Sequence, residues 1–422
     1  MLAFLKESLK SRIRSERLLW ILMLLFVFSI SFSIAVSHIF LAAAALVYLY
    51  WKIRHNWKLP NLPILVPAMA FAYCTLLSTA FSIHPAESLI YSKDLAMFII
   101  LPIFFDMVRN LDDVKVIYGI LILAGVISAA YGLWQFFNPD NELVHDRLRG
   151  FMGHWMTFSG LLMILNVLLL SHLLFSKEHP RWFYPAFGLL SITLLLSLTR
   201  NVWLGFLAAA FVMIAMRKVR WVIAIPIVVM IVFIASVLIF PDKVASRMES
   251  IFNPNETSNK DRILMVKSGW EIIKDYPITG VGTGMIGQVY PRYRASESVF
   301  RNHQHLHNNL VQLAAENGII TLIAWLWLIA KVLFDLVHWK RKVMNPEEQF
   351  MINGTIGIVI SLFVAGMFEY NFGDTEIKML FLTLITLPYA WHAHAVLANG
   401  RNKKEEPIHI SERAPAAATA AG

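Results

Sequence analysis

Long apolar runs separated by short polar segments are the main feature of this chain of 422 residues. A helix that spans a membrane needs about 20 predominantly apolar residues, and such runs recur from Leu18 onward. The pattern predicts twelve transmembrane helices, at residues 16–33, 36–53, 62–82, 87–107, 114–137, 157–175, 182–199, 201–216, 219–240, 308–338, 350–369 and 376–397. We therefore expect an all-α, polytopic membrane protein.

The composition agrees with this fold class. Hydrophobic residues make up 57% of the chain and charged residues 15%, whereas a soluble domain carries about 25% charged residues. Cys74, the single cysteine, lies in an apolar run, which excludes an intramolecular disulfide and a thiolate metal site. The first apolar run is too long for the core of a cleavable signal peptide, so we expect none.

The distribution of lysine and arginine predicts the orientation of the helices. With the N-terminus in the cytoplasm, most of these residues fall in cytoplasmic loops, as is usual. The short outer loops then hold only Arg147, Arg149 and Arg200. The same asymmetry explains the net charge of +9 without a nucleic-acid partner. The three outer arginines run against the rule, which makes them candidates for function.

These helices divide the chain into four parts, with both termini cytoplasmic. Residues 1–240 hold helices 1 to 9, residues 241–307 form one large loop on the outer side, residues 308–397 hold helices 10 to 12, and residues 398–422 form a disordered cytoplasmic tail.

The predicted outer loop contains the pattern of an amphipathic helix. Ser258 and Asn259 offer an N-cap, apolar residues then recur at helical spacing, and Pro277 ends the pattern. The literal G-x-G-x-x-G at residues 282–287 follows no strand and lies in no βαβ unit, so we interpret it as a turn and not as a nucleotide site.

A histidine-rich segment at the end of this loop is the strongest candidate for chemistry. His305 and His307 directly precede a long apolar helix that Asn308 is suited to cap, and Glu316 lies on the same helical face two turns later. An imidazole titrates near neutral pH and suits general acid and base catalysis. Histidines at an interfacial helix end would fit the pattern equally well.

His303, His305 and His307 alternate as metal ligands in an extended segment sometimes do. Since no cysteine and few carboxylates lie nearby, we expect no metal here.

The outer arginines are suited to binding an anion. Arg200 joins two helices with almost no loop between them, and Arg262 begins the amphipathic helix. A guanidinium remains charged and binds phosphate oxygens with two parallel hydrogen bonds. Either arginine could instead reach lipid headgroups or solvent.

Two further loops supply candidate binding residues. Arg147, Arg149, His154 and Trp155 combine cations with an aromatic ring that could stack on a sugar or simply anchor the chain at the interface. Asp374 lies in the last outer turn with Glu369 and Glu376. These carboxylates could neutralise the arginines, bind an acceptor, or form only a polar turn. Within the membrane, Lys93 and Asp94 are expected to pair with each other.

Taken together, the motifs resemble the bacterial O-antigen ligase family (WaaL). The resemblance rests on Ser197-Leu198-Thr199-Arg200, the segment from Arg262 through Lys274-Asp275-Tyr276-Pro277-Ile278-Thr279-Gly280-Val281-Gly282, His307-Asn308, and Glu316-Asn317-Gly318. Thr199 departs from the serine that often precedes the arginine. The superfamily also contains O-antigen polymerases and protein O-oligosaccharyltransferases. The resemblance implies that Arg200, Arg262 and His307 form the essential set.

The resemblance also implies a reaction in lipopolysaccharide biosynthesis. A glycan would pass from undecaprenyl diphosphate to a sugar hydroxyl of lipid A-core at the periplasmic face of a bacterial inner membrane, so that residues 241–307 would form a periplasmic loop. Independently of the resemblance, the donor is already activated and fixed guanidinium groups can stabilise its leaving diphosphate, so we expect no metal, nucleotide or other cofactor. Direct displacement would invert the anomeric carbon. The partners would be these two lipids and the surrounding membrane lipids; the sequence predicts no oligomeric state. A polymerase or protein O-oligosaccharyltransferase would use the same donor. A lipid or glycan transporter, the alternative of another class, would place charges nearer the middle of the bilayer.

Overall fold

The computed structural model describes residues 2–55, 57–138, 147–177, 180–218, 257–298, 302–343 and 345–405. In these ranges the regular structure is helical, without strands. The helices are α1 (Leu2–Lys10), α2 (Arg14–Ser29), α3 (Ile34–Arg54), α4 (Leu65–Ala80), α5 (Pro85–Tyr91), α6 (Ile100–Met107), α7 (Leu111–Phe137), α8 (Trp155–Phe175), α9 (Phe183–Leu196), α10 (Arg200–Arg217), α11 (Thr257–Asp275), α12 (Ile286–Tyr293), α13 (Asn309–Lys340), α14 (Pro346–Ala365) and α15 (Thr375–Glu405), with a 3-10 helix (Ser92–Ile99) between α5 and α6.

Seven helical segments in the described part of the chain are long and apolar enough to cross a membrane, so the protein is a multi-pass membrane protein. They are Ile34–Arg54, Pro85–Met107, Leu111–Phe137, Trp155–Phe175, Arg200–Arg217, Asn309–Lys340 and Pro346–Ala365. The apolar helices α4 and α9 are shorter. The total of twelve transmembrane helices therefore stays a prediction. The predicted span at 219–240, the first part of the periplasmic loop and the end of the tail lie outside the described residues.

The segment predicted as one helix at 87–107 is interrupted by the 3-10 helix. Side chains there bond to other helices: the hydroxyls of Thr79 and Ser92 lie 2.6 Å apart, and Lys378 Nζ donates to Asp94 Oδ2 at 3.0 Å. The expected pairing of Lys93 with Asp94 is therefore wrong. Neighbouring residues in a helix point in different directions, and Asp94 pairs with Lys378 of α15 instead.

Contacts between helix ends show which termini lie together. Glu347, at the start of α14, contacts Lys115 near the start of α7 at 3.0 Å and Ser176 just after α8 at 2.6 Å. At the opposite end, the hydroxyl of Ser159 in α8 lies 2.9 Å from that of Thr199, just before α10. The starts of α8, α10, α13 and α15 and the ends of α9 and α14 therefore share one end of the bundle. We call it the site end.

A buried ion pair anchors the N-terminal segment at the other end. Arg12 Nη2 lies 2.9 Å from Asp113 Oδ2, and both side chains are almost fully buried. The guanidinium also lies 4.2 Å from the ring centre of Trp20. Arg12, which the orientation argument counted only as a cytoplasmic cation, therefore also holds α1 and α2 against α7.

At the site end, a glycine-rich segment packs against a break in α13. Gly318 has a φ of 86°, which interrupts the helix. The nitrogen of Gly282 donates to the oxygen of Glu316 at 2.8 Å, and the nitrogen of Ile319 donates to the oxygen of Pro277 at 2.9 Å. A Cβ atom on Gly318 would lie 1.9 Å from the oxygen of Ile278. The Pro277–Gly282 and Glu316–Gly318 motifs are thus two halves of one packing contact.

Helix α11 lies where the periodicity places an amphipathic helix. It begins at Thr257, just before the predicted cap, and ends at Asp275, before Pro277. Its inner residues Met265, Ile272 and Ile273 join a buried cluster with Leu306 and Ala315. This packing connects α11 to the histidine-rich segment and to the start of α13.

Candidate functional site

A cavity of about 520 Å³ lies at the site end of the bundle. Four separate parts of the chain line it, and they supply both cations and imidazoles. The lining residues are Arg147, His154, Trp155, Met156, Leu198, Thr199, Arg200, Asn201, Asp261, Arg262, Met265, Asn302, His303, His305 and His307. The structure therefore brings together Arg200, Arg262 and His307, which are far apart in the sequence.

His307 is held by a carboxylate from another loop. Its Nδ1 lies 2.8 Å from each carboxylate oxygen of Glu369, which follows α14 and is 4% exposed. His307 also has a φ of 48°, a left-handed conformation that is uncommon outside glycine. The backbone and the carboxylate together set the direction of the imidazole.

The pairing with Glu369 determines which nitrogen of His307 can act as a base. If Nδ1 carries the hydrogen that is donated to the carboxylate, the lone pair is on Nε2. A carboxylate in this position also stabilises the imidazolium formed when Nε2 accepts a proton. The arrangement therefore suits removal of a proton from a hydroxyl.

A second histidine shares the same carboxylate. His305 Nε2 lies 3.2 Å from Glu369 Oε1. Burial disfavours the charged form of each group, but the hydrogen bonds between them outweigh it. They raise the pKa of His305 and, together with the bond from His307, hold the pKa of Glu369 well below its usual range. The cavity thus contains an imidazole that is more readily protonated than usual.

Two arginines lie beside this cluster. Arg262 Nη2 is 3.9 Å from Glu369 Oε2. Arg200 is the first residue of α10 and lies two residues after Leu198, which has a φ of 52°. A positive φ is costly for leucine, so the turn that places Arg200 at the cavity is strained. His303 lies next to them and pairs with Asp261 at 2.9 Å; burial lowers the pKa of His303.

The loop before α8 supplies another group of cations. The guanidinium carbons of Arg147 and Arg149 lie 5.2 and 5.9 Å from the ring centre of Trp155. The ring of His154 lies 4.0 Å from the same indole. Trp155 therefore contacts three neighbouring side chains. Stacking on a sugar and anchoring at the interface, the two roles that the sequence suggested for this ring, stay predictions. Arg149 contacts Trp155 without lining the cavity.

Besides Arg149, three residues expected to bind substrate lie outside the cavity lining. Asn308 caps α13 by accepting hydrogen bonds from the nitrogens of Leu310 and Val311 at 2.9 and 3.0 Å. The buried Glu316 accepts hydrogen bonds from the nitrogen of Gly284 and the side chain of Gln312. In these positions both support the fold, and a role in binding stays a prediction.

Asp374, the third of these, accepts a hydrogen bond from Thr157 at 3.2 Å. Burial and the neighbouring charges of Glu369 and Glu376 raise the pKa of Asp374 to about 7.

The sequence argument missed the specific roles of Glu369 and Asp261. Glu369 was one of three carboxylates in a short turn, and nothing in the pattern distinguished it as the partner of His307. The available signal was its position, since a carboxylate between two apolar helices at the site end faces the same region as the histidines. Asp261 directly precedes Arg262, and the sequence argument considered only the arginine.

His305, His307 and Glu369 also form a possible metal-ligand set. Their ligand atoms all lie within 4.8 Å of one another, and two histidines with a glutamate are a known zinc set. Arg262 lies beside Glu369, however, and a guanidinium there opposes a divalent cation. That the protein needs no metal stays a prediction.

Comparison with known proteins places these residues in a family. Residues 185–326 match the O-antigen ligase family, a segment that includes Arg200, Arg262 and His307. The teichuronic acid biosynthesis protein TuaE of Bacillus subtilis (strain 168) is 21% identical over 157 residues, which cover 35% of this chain and 32% of that relative. The resemblance inferred from the motifs is confirmed for residues 185–326, which match the O-antigen ligase family, and the weaker relative supports the O-antigen ligase/polymerase superfamily.

Proposed function

We propose that this protein is a glycosyltransferase that moves a glycan from undecaprenyl diphosphate to a hydroxyl group of lipid A-core. The observation that carries the proposal is that His307, which pairs with Glu369, lines one cavity with the two arginines Arg200 and Arg262. A proton acceptor and a binding site for a diphosphate are the two requirements of this reaction.

The arginines serve the leaving group. Negative charge builds up on the diphosphate as its bond to the sugar breaks, and fixed cations stabilise such charge. Arg200 is the first residue of α10, and Trp155, which also lines the cavity, is the first residue of α8. The unpaired backbone N–H groups at a helix start also favour anions. Because the donor is already activated, ATP has no role.

His307 serves the acceptor. The acceptor oxygen attacks the anomeric carbon while its proton passes to Nε2 of His307. The bond between that carbon and the diphosphate oxygen breaks, and its electron pair leaves with the diphosphate. Direct displacement inverts the anomeric carbon. If NMR shows that the product retains the configuration of the anomeric carbon, a covalent glycosyl intermediate is required instead.

Polymerisation of glycan repeats on the lipid carrier is the second candidate. The matched relative is named for teichuronic acid biosynthesis, so likeness at this level extends to proteins concerned with a glycan other than O-antigen. A polymerase would use the same donor and the same proton acceptor, and a protein O-oligosaccharyltransferase would differ only in its acceptor.

Reconstitution separates these candidates. The purified full chain in lipid nanodiscs is given undecaprenyl diphosphate-linked glycan, with or without lipid A-core. A ligase transfers glycan only when lipid A-core is present. A polymerase lengthens the carrier-linked glycan from donor alone. Transfer in neither mixture, with donor and acceptor that a known ligase accepts, contradicts the proposal.

The proposed orientation places the site in the periplasm of a bacterial inner membrane. A Cys74→Ala background with either Arg292→Cys, an exposed position on α12, or Lys177→Cys, an exposed position at the opposite end, tests it. A membrane-impermeant maleimide applied to intact spheroplasts should label position 292 only. Labelling of position 177 alone contradicts this orientation.

A further inference from the structure

Two cations lie close together on the loop before α8. Arg147 and Arg149 both contact the ring of Trp155. In the described part of the chain, no carboxylate forms an ion pair with Arg149. A contact with an aromatic ring leaves the positive charge of Arg149 available to an anion.

This loop is rigidly held. Gln135 of α7 is buried and donates from Nε2 to the oxygen of Gly150 at 3.0 Å. Its Oε1 accepts from the nitrogens of Gly150 at 3.0 Å and Arg149 at 3.3 Å. Gly150 has a φ of 55°, and a Cβ atom there would lie 2.5 Å from the ring of Phe158. The backbone beside Arg149 is therefore fixed before any ligand arrives, which reduces the entropy cost of binding.

The same place offers hydrogen-bond donors that the described residues leave unused. Nε of Arg149 and Nε1 of Trp155 are buried without a hydrogen-bond partner. Buried donors without partners are uncommon in folded proteins. Both groups are donors only, so each requires an acceptor atom. A carboxylate or a phosphate provides such atoms together with negative charge.

This loop differs from the rest of the cavity in its chemistry. The carboxylates Asp261 and Glu369 lie with the histidines and Arg262. Arg147, His154 and Trp155 form another part of the lining, next to Arg149. The diphosphate of the proposed donor is already matched by Arg200 and Arg262. The loop cations therefore exceed what a diphosphate with a neutral sugar requires.

We infer that Arg147, Arg149 and Trp155 form a subsite for an acidic sugar, one that carries a carboxylate or phosphate group near the bond that is made or broken. The inference rests on the proposed function insofar as the cavity must admit a glycan. The acidic group can belong to the donor glycan or to the sugar of the acceptor lipid.

Binding measurements test this subsite separately from catalysis. Equilibrium affinities of the full chain in nanodiscs are measured for an undecaprenyl diphosphate trisaccharide that contains glucuronic acid, and for its methyl ester. A second pair of ligands carries the free acid or the ester on an acceptor glycolipid. The variants are Arg149→Gln and Arg149→Lys, with Arg292→Gln of α12 as an exposed control.

In at least one ligand pair, the wild type should bind the free acid about tenfold more tightly than the ester, as a charge-assisted hydrogen bond warrants. Arg149→Gln should bring this ratio close to one, Arg149→Lys should give an intermediate ratio, and Arg292→Gln should preserve it. The pair that responds identifies the source of the acidic group. A wild-type ratio near one in both pairs, or a ratio that Arg149→Gln leaves unchanged, overturns the inference.

Two controls keep the result interpretable. Thermal melting establishes that Arg149→Gln is folded, and a ratio of two affinities in the same preparation does not depend on the active fraction. Arg200→Gln should weaken the binding of the donor acid and of its ester by the same factor, since both donors carry the diphosphate. Absence of transfer by the wild type in both reconstituted mixtures, together with an intact acid preference, would contradict the proposed function and leave the subsite standing.

Discussion

Nδ1 of His307 lies 2.8 Å from both carboxylate oxygens of Glu369, although 62 residues separate the two in the chain. The contact joins the loop before α13 to the turn after α14. The contact favours the tautomer with its hydrogen on Nδ1, in the imidazole that we propose as the proton acceptor. It also places the negative charge of Glu369, which can balance the imidazolium, in a buried position. Several consequences can be measured.

Replacing Glu369 with glutamine should lower the rate of glycan transfer about 100-fold or more, because general base catalysis contributes at least that much in many enzymes. The variant retains the shape of the side chain but removes the charge that stabilises the imidazolium. Glu297→Gln, at an exposed position on the same end, should retain the wild-type rate. A Glu369→Gln enzyme with the wild-type rate would show that His307 does not depend on this carboxylate.

Replacing Asp374 with asparagine should stabilise the protein at neutral and higher pH. Burial raises the pKa of Asp374 to about 7, whereas an unfolded aspartate has a pKa of about 3.9. Between these values the folded chain binds more protons than the unfolded chain, so this residue makes stability fall as pH rises. Melting temperatures from pH 5 to 8 should decline less in Asp374→Asn than in the wild type. Parallel curves would contradict the raised pKa.

Replacing Gly318 with alanine should destabilise the protein by about 2 kcal/mol or more, because a left-handed φ is unfavourable for alanine. The new Cβ atom would also lie 1.9 Å from the oxygen of Ile278. The segment at Pro277–Gly282 would have to move away from α13. Gly188→Ala is the matched control, since no atom lies within 4 Å of a Cβ placed there in α9, and it should be neutral or slightly stabilising. Equal melting temperatures for the two variants would contradict this account of the motif.

Removing metal ions should leave transfer unchanged. The ligand atoms of His305, His307 and Glu369 are close enough for a metal, but the proposed chemistry uses them as a base and its partners. Dialysis against EDTA followed by assay in metal-free buffer should give the original rate within about twofold, a difference that corresponds to less than 0.5 kcal/mol in activation free energy. Loss of activity that Zn²⁺ restores would assign the cluster to a metal.

The sequence predicted the positions of the helices well because long apolar runs have few alternatives in a membrane. This argument did not predict helix α1, since Leu2–Lys10 is too short to span a membrane and mixes apolar with charged residues, and the Arg12–Asp113 pair directly after it holds this segment in place. The apolar pattern also did not predict the break at Ser92–Ile99. Side chains there contact distant parts of the chain, as Asp94 contacts Lys378, 284 residues away.

The candidate site shows the same division. Arg200, Arg262 and His307 were identified from chemistry and motif spacing, and the cavity brings them together. Glu369 could not be identified as the partner of His307, since pairing across 62 residues depends on how α13 and α14 pack. The motif residue Glu316 was predicted to bind substrate; in the structure its carboxylate accepts a hydrogen bond from the nitrogen of Gly284, and a role in binding stays a prediction. Motif spacing alone does not distinguish a residue that contacts substrate from one that holds a loop.

The most direct test of the central claim compares donor binding with transfer in two variants, His307→Ala and Arg200→Gln. With undecaprenyl diphosphate-linked glycan and lipid A-core, His307→Ala should lose transfer by about 100-fold or more, as expected when a general base is removed, and still bind donor. Arg200→Gln should weaken donor binding about tenfold, as loss of one charge-assisted contact implies. Near-normal transfer by His307→Ala would contradict the account.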